Sequence, residues 1–170
     1  MLVREAVEQD LPDILAIYNE VIANSMAIYM EEPLSLDDRL AWWRARQTQN
    51  YPELVACDET GLVGCGSLSD FRQWPSGYRF TVEHSIHVRA DRRRRGIGRA
   101  LLEALVPRAA ALGKHVLIGV IDADNHGSIR LHEELGFVKV AHCREVGRKF
   151  DRWLDLVMMQ RFLDRATGFA

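Results

Sequence analysis

Residues 91–102 read DRRRRGIGRALL: four consecutive arginines, two glycines one residue apart, then an apolar run. A cluster of positive charge this dense could bind nucleic acid, decorate a solvated turn, or hold a phosphate. Gly96 and Gly98 remove side chains where a phosphate would need to approach the backbone closely. The apolar residues that follow mark the start of a helix, whose first N–H groups are unpaired and which carries about half a positive charge. Arginines in front of such a terminus add charge-assisted hydrogen bonds to phosphate oxygens. The stretch is not a dinucleotide fingerprint, because Leu101 stands where a third glycine belongs, and no Gly-Lys-Ser/Thr follows to make a P-loop. It reads as an anion site for a pyrophosphate, with a glycine-eased, solvated turn as the competing reading.

Other residues that could do chemistry sit on either side. In RFTVEHSIHV (79–88), Glu83, Ser85 and His87 alternate onto one strand face, and His84, Ile86 and Val88 onto the other. Ser128 and His132 lie four residues apart, on one face of a helix. The six histidines show no metal-ligand spacing, and His132-Glu133 lacks the second histidine of a zinc-binding HExxH, so no metal is expected. Cys57, Cys65 and Cys143 form no CxxC pair; Cys57 and Cys65 fall in apolar strands, as structural thiols do.

The whole chain narrows these choices. Its 170 residues are read as one domain, large enough to bury a core without staples. The net charge is -2, so the arginines are a local feature offset elsewhere, which weighs against a nucleic-acid-binding domain, whose basic excess covers a whole face. No apolar run approaches the roughly 20 residues of a membrane span. An odd cysteine count without a secretory signal pattern points to reduced thiols in the cytoplasm.

The elements that must position these residues follow from periodicity. A strand at 2–6 precedes a helix opening at Asp10 and Pro12, in which Ile14, Leu15, Tyr18, Val21 and Ile22 recur at helical spacing. Ser35 and Asp38 form a capping-box pattern for a second helix to about residue 48, whose Trp42 and Trp43 read as core or interface residues. A hairpin is expected at 53–57 and 62–69, turning at 58–61. The strand at 79–88 leads through the arginines into a helix ending near Leu112, with Gly113 as its stop. An apolar strand at 115–121, a helix from 126 to about 135 and two closing strands complete the chain. The expected architecture is α/β: a mixed, mostly antiparallel sheet with helices on both faces and one β-α-β unit at 79–121. The arginine–glycine turn then sits after a strand and before a helix, where open α/β sheets bind ligands.

In this setting Arg93–Gly96–Ile97–Gly98 resembles the cofactor signature of the GNAT acyltransferase superfamily, and NHGSIRLHEELGF (125–137) resembles that family's later motif. YPELV, FRQWPSGYRFTVEHSIHV, SIRLHEELGF and KFDRWLDLVMMQ are similar to the phosphinothricin and methionine sulfoximine acetyltransferase branch, and the likeness runs to about Leu163. The resemblance implies an N-acetyltransferase that uses acetyl-CoA. Its pyrophosphate would lie on Arg93, Arg94, Arg95, Gly96, Ile97, Gly98 and Arg99, with Arg92 merely solvated. The backbone of Ile86, His87 and Val88 would hold the pantetheine arm, helped by Asn125 and Ser128. Glu83 resembles the family's base, the Val88 amide its oxyanion donor, and His132 stands where many members carry a tyrosine acid. An imidazole titrating near neutrality could protonate a thiolate with a pKa of roughly 8.5. The acceptor would be a small amino-acid-like amine, met by Tyr29, Arg72, Trp74, Arg79, Glu83, His84 and Ser85. Arg72 and Arg79 flank the aromatic, turn-rich segment of Phe71, Trp74, Pro75 and Tyr78; arginine forks there suit a carboxylate, phosphinate or sulfone oxygen. The family also implies a homodimer. A peptide acetyltransferase, a CoA-binding domain without turnover and a basic nucleic-acid module are the alternatives.

Overall fold

In the computed structural model, which describes residues 1–72 and 76–163, the chain forms seven strands and four α-helices. They are β1 (Leu2–Glu5), α1 (Leu11–Asn24), α2 (Leu36–Thr48), β2 (Glu53–Asp58), β3 (Gly61–Asp70), β4 (Thr81–Val88), α3 (Ile97–Ala111), β5 (Val116–Asp122), α4 (His126–Glu134), β6 (Val138–Lys149) and β7 (Arg152–Phe162). The sheet order is β1-β2-β3-β4-β5-β7-β6. The chain divides into two compact units: Met1–Leu68 with Ile86–Leu105, and Ser69–Ser85 with the chain from Val106 on.

In the first unit β1 pairs antiparallel with β2 from Leu2↔Cys57 to Glu5↔Leu54, and β2 with β3 from Glu53↔Ser67 to Asp58↔Gly61. Asp58 Oδ1 accepts from the Thr60 backbone N–H at 2.7 Å, and Gly61 follows with φ +105°, so the turn is built by a side chain and a glycine. Helix α1 starts where Pro12 tolerates a missing N–H. Its buried face is Leu11, Ile14, Ile17, Val21 and Ile22, with Ile17 in the place that spacing gave to Leu15 and Tyr18. Leu11, Ile14, Ile17, Val55, Leu62 and Cys65 form one core cluster, against which Trp43 packs. The expected capping box opens α2: Ser35 Oγ accepts from the Asp38 N–H at 3.1 Å, and Asp38 accepts from the Ser35 N–H at 3.0 Å. The buried Arg39 of α2 ion-pairs with buried Glu53 of β2, and its guanidinium lies 4.3 Å over the Trp42 ring.

In the second unit β4 runs parallel to β5, from Thr81↔Val116 to His84↔Gly119. This is the β-α-β pairing expected across residues 79–121. β5 then pairs antiparallel with β7, and β7 with β6. Gly113 stops α3 at φ +70°, its N–H bonded to Ala110 O at 2.9 Å. The β6–β7 hairpin is longer than periodicity indicated, because Phe150 and Asp151 both turn through positive φ and join the strands directly.

Candidate active site

The residues expected to do chemistry fall into two groups, joined along the chain by β4. The first group is the arginine–glycine turn. Ala100 N–H bonds Gly96 O at 3.0 Å, so Gly96 stands at the head of α3, and the N–H groups of Ile97, Gly98 and Arg99 belong to its first turn. Gly96 takes φ +78°, and Arg94 takes +62°. A Cβ built on Gly96 meets no atom within 4 Å, so the glycine opens space at the helix head. Arg93, Arg94 and Arg95 are exposed, and none is ion-paired with a carboxylate among the described residues. Arg93 Nε donates to Val88 O at 3.3 Å, which ties the turn to the end of β4. These features fit a pyrophosphate: open space over a glycine, the first-turn N–H groups of a helix and three guanidinium charges. Arg92 departs from expectation. It is not a solvated arginine; its side chain is 17% exposed and pairs with Asp58 of the β2–β3 turn at 3.3 Å, because it points back toward the hairpin.

On the same unit, the ring of His87 stands edge-on to Tyr18 at 5.1 Å. Burial, reinforced by the charges of Arg39 and Arg93, pushes its imidazole down to about 4, so His87 is neutral in ordinary buffers. Gly64 of β3 lets β4 approach: a Cβ there would lie 3.1 Å from His87 O and 3.0 Å from Ile97 Cγ2. Residues Ser85 to Val88 lie beyond the paired stretch of the β4–β5 ladder, which ends at His84↔Gly119. Tyr29, in the segment after α1, is half-buried. Cys65 is buried and its thiol is pushed up to about 11, which removes it as a thiolate nucleophile.

The second group lies on the other unit. Glu83 is half-buried in β4, and burial raises its carboxyl above the ordinary carboxylate range. Ser85, two residues on, is exposed on the same face. His84 faces the opposite side and is buried at 8% exposure, against the ring of His132, which is 3% exposed. Their Nε2 atoms lie 3.1 Å apart and the ring planes are within 14° of parallel. Phe137 closes the cluster edge-on to both, at 5.7 and 5.0 Å. Asn125 caps α4, its Oδ1 accepting from the Ser128 N–H at 3.1 Å. The Ser128 carbonyl in turn accepts from His132 Nδ1 at 2.6 Å. Burial lowers the His132 imidazole below its ordinary range, only partly countered by its bond to Ser128 O, where the sequence suggested a side chain titrating near neutrality. His132 is an internal side chain.

Arg72 is exposed, with its guanidinium 5.8 Å from the Phe71 ring and 5.6 Å from the Tyr78 ring, which themselves meet edge-on at 5.8 Å. Arg79 is exposed too, over Phe80 at 4.3 Å. Trp74 and Pro75 lie outside the described residues. Among the described residues no three His, Cys, Asp or Glu side chains converge as metal ligands, and no helix is long and apolar enough to cross a membrane. Sequence reading missed the His84–His132 pair. Its one signal was Gly119, which interrupts the apolar run HVLIGVI and marks a close approach.

The arginine–glycine turn, with three exposed guanidiniums at the head of α3, has the make-up of an anion site. The chain belongs to the acetyltransferase (GNAT) family, whose sequence pattern matches residues 14–137. It is 48% identical over 163 residues, 95% of this chain and 94% of the relative, to the L-methionine sulfoximine/L-methionine sulfone acetyltransferase of Pseudomonas paraeruginosa. It is 34% identical to the phosphinothricin N-acetyltransferase of Alcaligenes faecalis, over 95% of this chain and 82% of that one. Among solved structures, an acetyltransferase of Salmonella typhimurium with its cofactor acetyl-CoA superimposes with TM-score 0.93 at 42% identity, covering 100% of this chain and 98% of that one. A ribosomal-protein-alanine N-acetyltransferase of Brucella melitensis does so with TM-score 0.93 at 42% identity, covering 96% and 100%.

Proposed function

We propose that this chain transfers the acetyl group of acetyl-CoA directly to the α-amine of a small amino-acid-like acceptor of the methionine sulfoximine, methionine sulfone or phosphinothricin kind. The observation that carries this is the raised, half-buried Glu83 on the strand that runs into the arginine–glycine turn. Acetyl-CoA supplies an activated acyl carbon. Arg93, Arg94 and Arg95, with the first N–H groups of α3, bind its pyrophosphate, and the β4 backbone from Ile86 to Val88 holds the arm. The Val88 N–H donates to the thioester oxygen as negative charge develops there.

An α-ammonium cannot attack a carbonyl, so Glu83 takes its first proton, directly or through a water, and burial makes the carboxylate a better acceptor for it. As the C–N bond forms and the C–S bond breaks, the nitrogen gives up a second proton, which ends on the departing thiolate. Ammonium and thioester thus yield amide, thiol and one proton released. Arg72 and Arg79 are the cationic side chains that would meet the acceptor's carboxylate or its phosphinate or sulfone oxygens. The buried, raised thiol of Cys65 favours direct attack over an acetyl-enzyme.

The test is thiol release from acetyl-CoA with a panel of amino-acid analogues and an alanine-starting peptide. Release with methionine sulfone or sulfoximine supports the reading. Release with the peptide alone favours the second reading, a protein acetyltransferase, for which the Brucella structure is the supporting likeness. Acetyl-CoA binding with no release from any amine favours a domain without turnover. Exposed Val140, Val146, Phe150 and Trp153 on the β6–β7 hairpin support self-association as a homodimer, testable by sedimentation. Three free cysteines support a reducing, cytoplasmic setting.

A further inference from the structure

The pair of buried imidazoles has its protons fixed by geometry. The Ser128 carbonyl can only accept, so the 2.6 Å contact places the proton of a neutral His132 on Nδ1. His132 Nε2 is then a lone pair, and the His84 Nε2 that sits 3.1 Å away must be the donor to it. His132 therefore has no proton to give in its neutral form. The charged form would turn both of its nitrogens into donors inside a cluster closed by Phe137, where burial already disfavours it.

Gly119 completes the arrangement. It pairs with His84 in the β4–β5 register, and a Cβ on it would lie 2.9 Å from His84 Nε2 and 3.0 Å from both Nε2 and Cδ2 of His132. No real Cβ occupies such a position, so any larger residue there must displace one of the rings.

We propose that His132 is a positioning residue and not the acid of the reaction: bonded to the Ser128 carbonyl, it accepts from His84 Nε2–H in a slot that Gly119 leaves open, and the bridge fixes β4 at Glu83. Two hydrogen bonds, Ser128 O to His132 and His132 to His84, thus link α4 to the strand that carries the base. The proposal deepens the acetyltransferase reading and rests on it, but its first test needs no turnover.

Long-range 15N–1H correlation spectra of the folded protein near neutral pH report the tautomer of each histidine. The expected result is Nδ1–H for His132 and Nε2–H for His84. Nε2–H or an imidazolium at His132 overturns the proposal while leaving the acetyltransferase reading intact. The second test separates positioning from acid chemistry. His132→Ala should lower kcat by about 100-fold, the scale of a misplaced group, with the KM for acetyl-CoA changing far less. His132→Gln, whose amide oxygen can accept from His84 but cannot titrate, should recover at least about tenfold of that loss. Gly119→Ala should lose the His84 Nε2–H correlation and lower kcat in the manner of His132→Ala. Equal loss in His132→Gln and His132→Ala, or full turnover in a Gly119→Ala protein whose bridge has gone, overturns it.

Discussion

Replacing Gly96 with alanine separates a phosphate cradle from an ordinary tight turn. Gly96 holds φ +78°, and an added Cβ meets nothing within 4 Å, so the substitution causes no clash in the protein. Its cost is conformational, about 1–2 kcal/mol for an L-residue in the left-handed region. Gly61 provides the matched control: it holds φ +105° in the β2–β3 turn, and its added Cβ also meets nothing. Each variant should therefore melt a few degrees lower, at about 2–4 °C per kcal/mol for a chain of this size. Only at Gly96 does the new methyl enter the space over the helix head, where the proposed pyrophosphate would have to reach the N–H groups. Losing one charge-assisted hydrogen bond costs about 1.5–3 kcal/mol, or roughly ten- to a hundredfold in affinity. Melting followed by circular dichroism, with initial rates of thiol release at varied acetyl-CoA, measures both effects. The expected result is matched destabilisation, with the KM for acetyl-CoA raised tenfold or more in Gly96→Ala and unmoved in Gly61→Ala. A KM that moves in both variants or in neither refutes the reasoning.

The remaining expectations follow from the same geometry. Glu83→Gln should lower kcat/KM for the amine by about 10²–10⁴-fold and abolish the fall in activity at acid pH. Because the folded Glu83 pKa is raised, the native state binds more protons than the unfolded chain in that window, and ionised Glu83 costs stability at neutral pH. The same variant should then melt higher at pH 7, and a lower melting point would contradict the raised carboxyl. Arg95→Gln should raise the KM for acetyl-CoA about tenfold and weaken its dependence on salt. Arg92→Gln, paired instead with Asp58, should change stability more than KM. Glu53→Gln leaves the Arg39 charge buried without its counter-ion and should cost about 3–5 kcal/mol in urea unfolding. The pair replaced together by Met and Leu should cost much less.

The element order was legible because each segment carries its own punctuation. Ser35 and Asp38 write the α2 cap, Asn125 writes the α4 cap, and Gly113 the end of α3. The arginine–glycine turn was legible because helix starts and glycines are local signals. What periodicity could not supply were pairings between distant segments. The Arg39–Glu53 ion pair spans 14 residues and the His84–His132 contact 48, and neither leaves a trace in spacing. The burial of His132 was not legible for the same reason: a helix histidine reads as an exposed, titrating side chain until its packing is known. The two closing strands were legible but the tight turn that joins them was not, because Phe150-Asp151 lacks the glycine or asparagine that usually marks such turns.

The central claim is that the arginine–glycine turn and Glu83 serve acetyl transfer to a small free amino acid analogue. The most direct measurement is a competition in one vessel. Limiting acetyl-CoA is offered to equal concentrations of L-methionine sulfone and an alanine-starting peptide, and the acetylated products are counted by mass spectrometry. The expected result is acetyl on the sulfone's α-nitrogen in large excess, lost in Glu83→Gln. Acetyl found chiefly on the peptide, or an undiminished yield from Glu83→Gln, would contradict it.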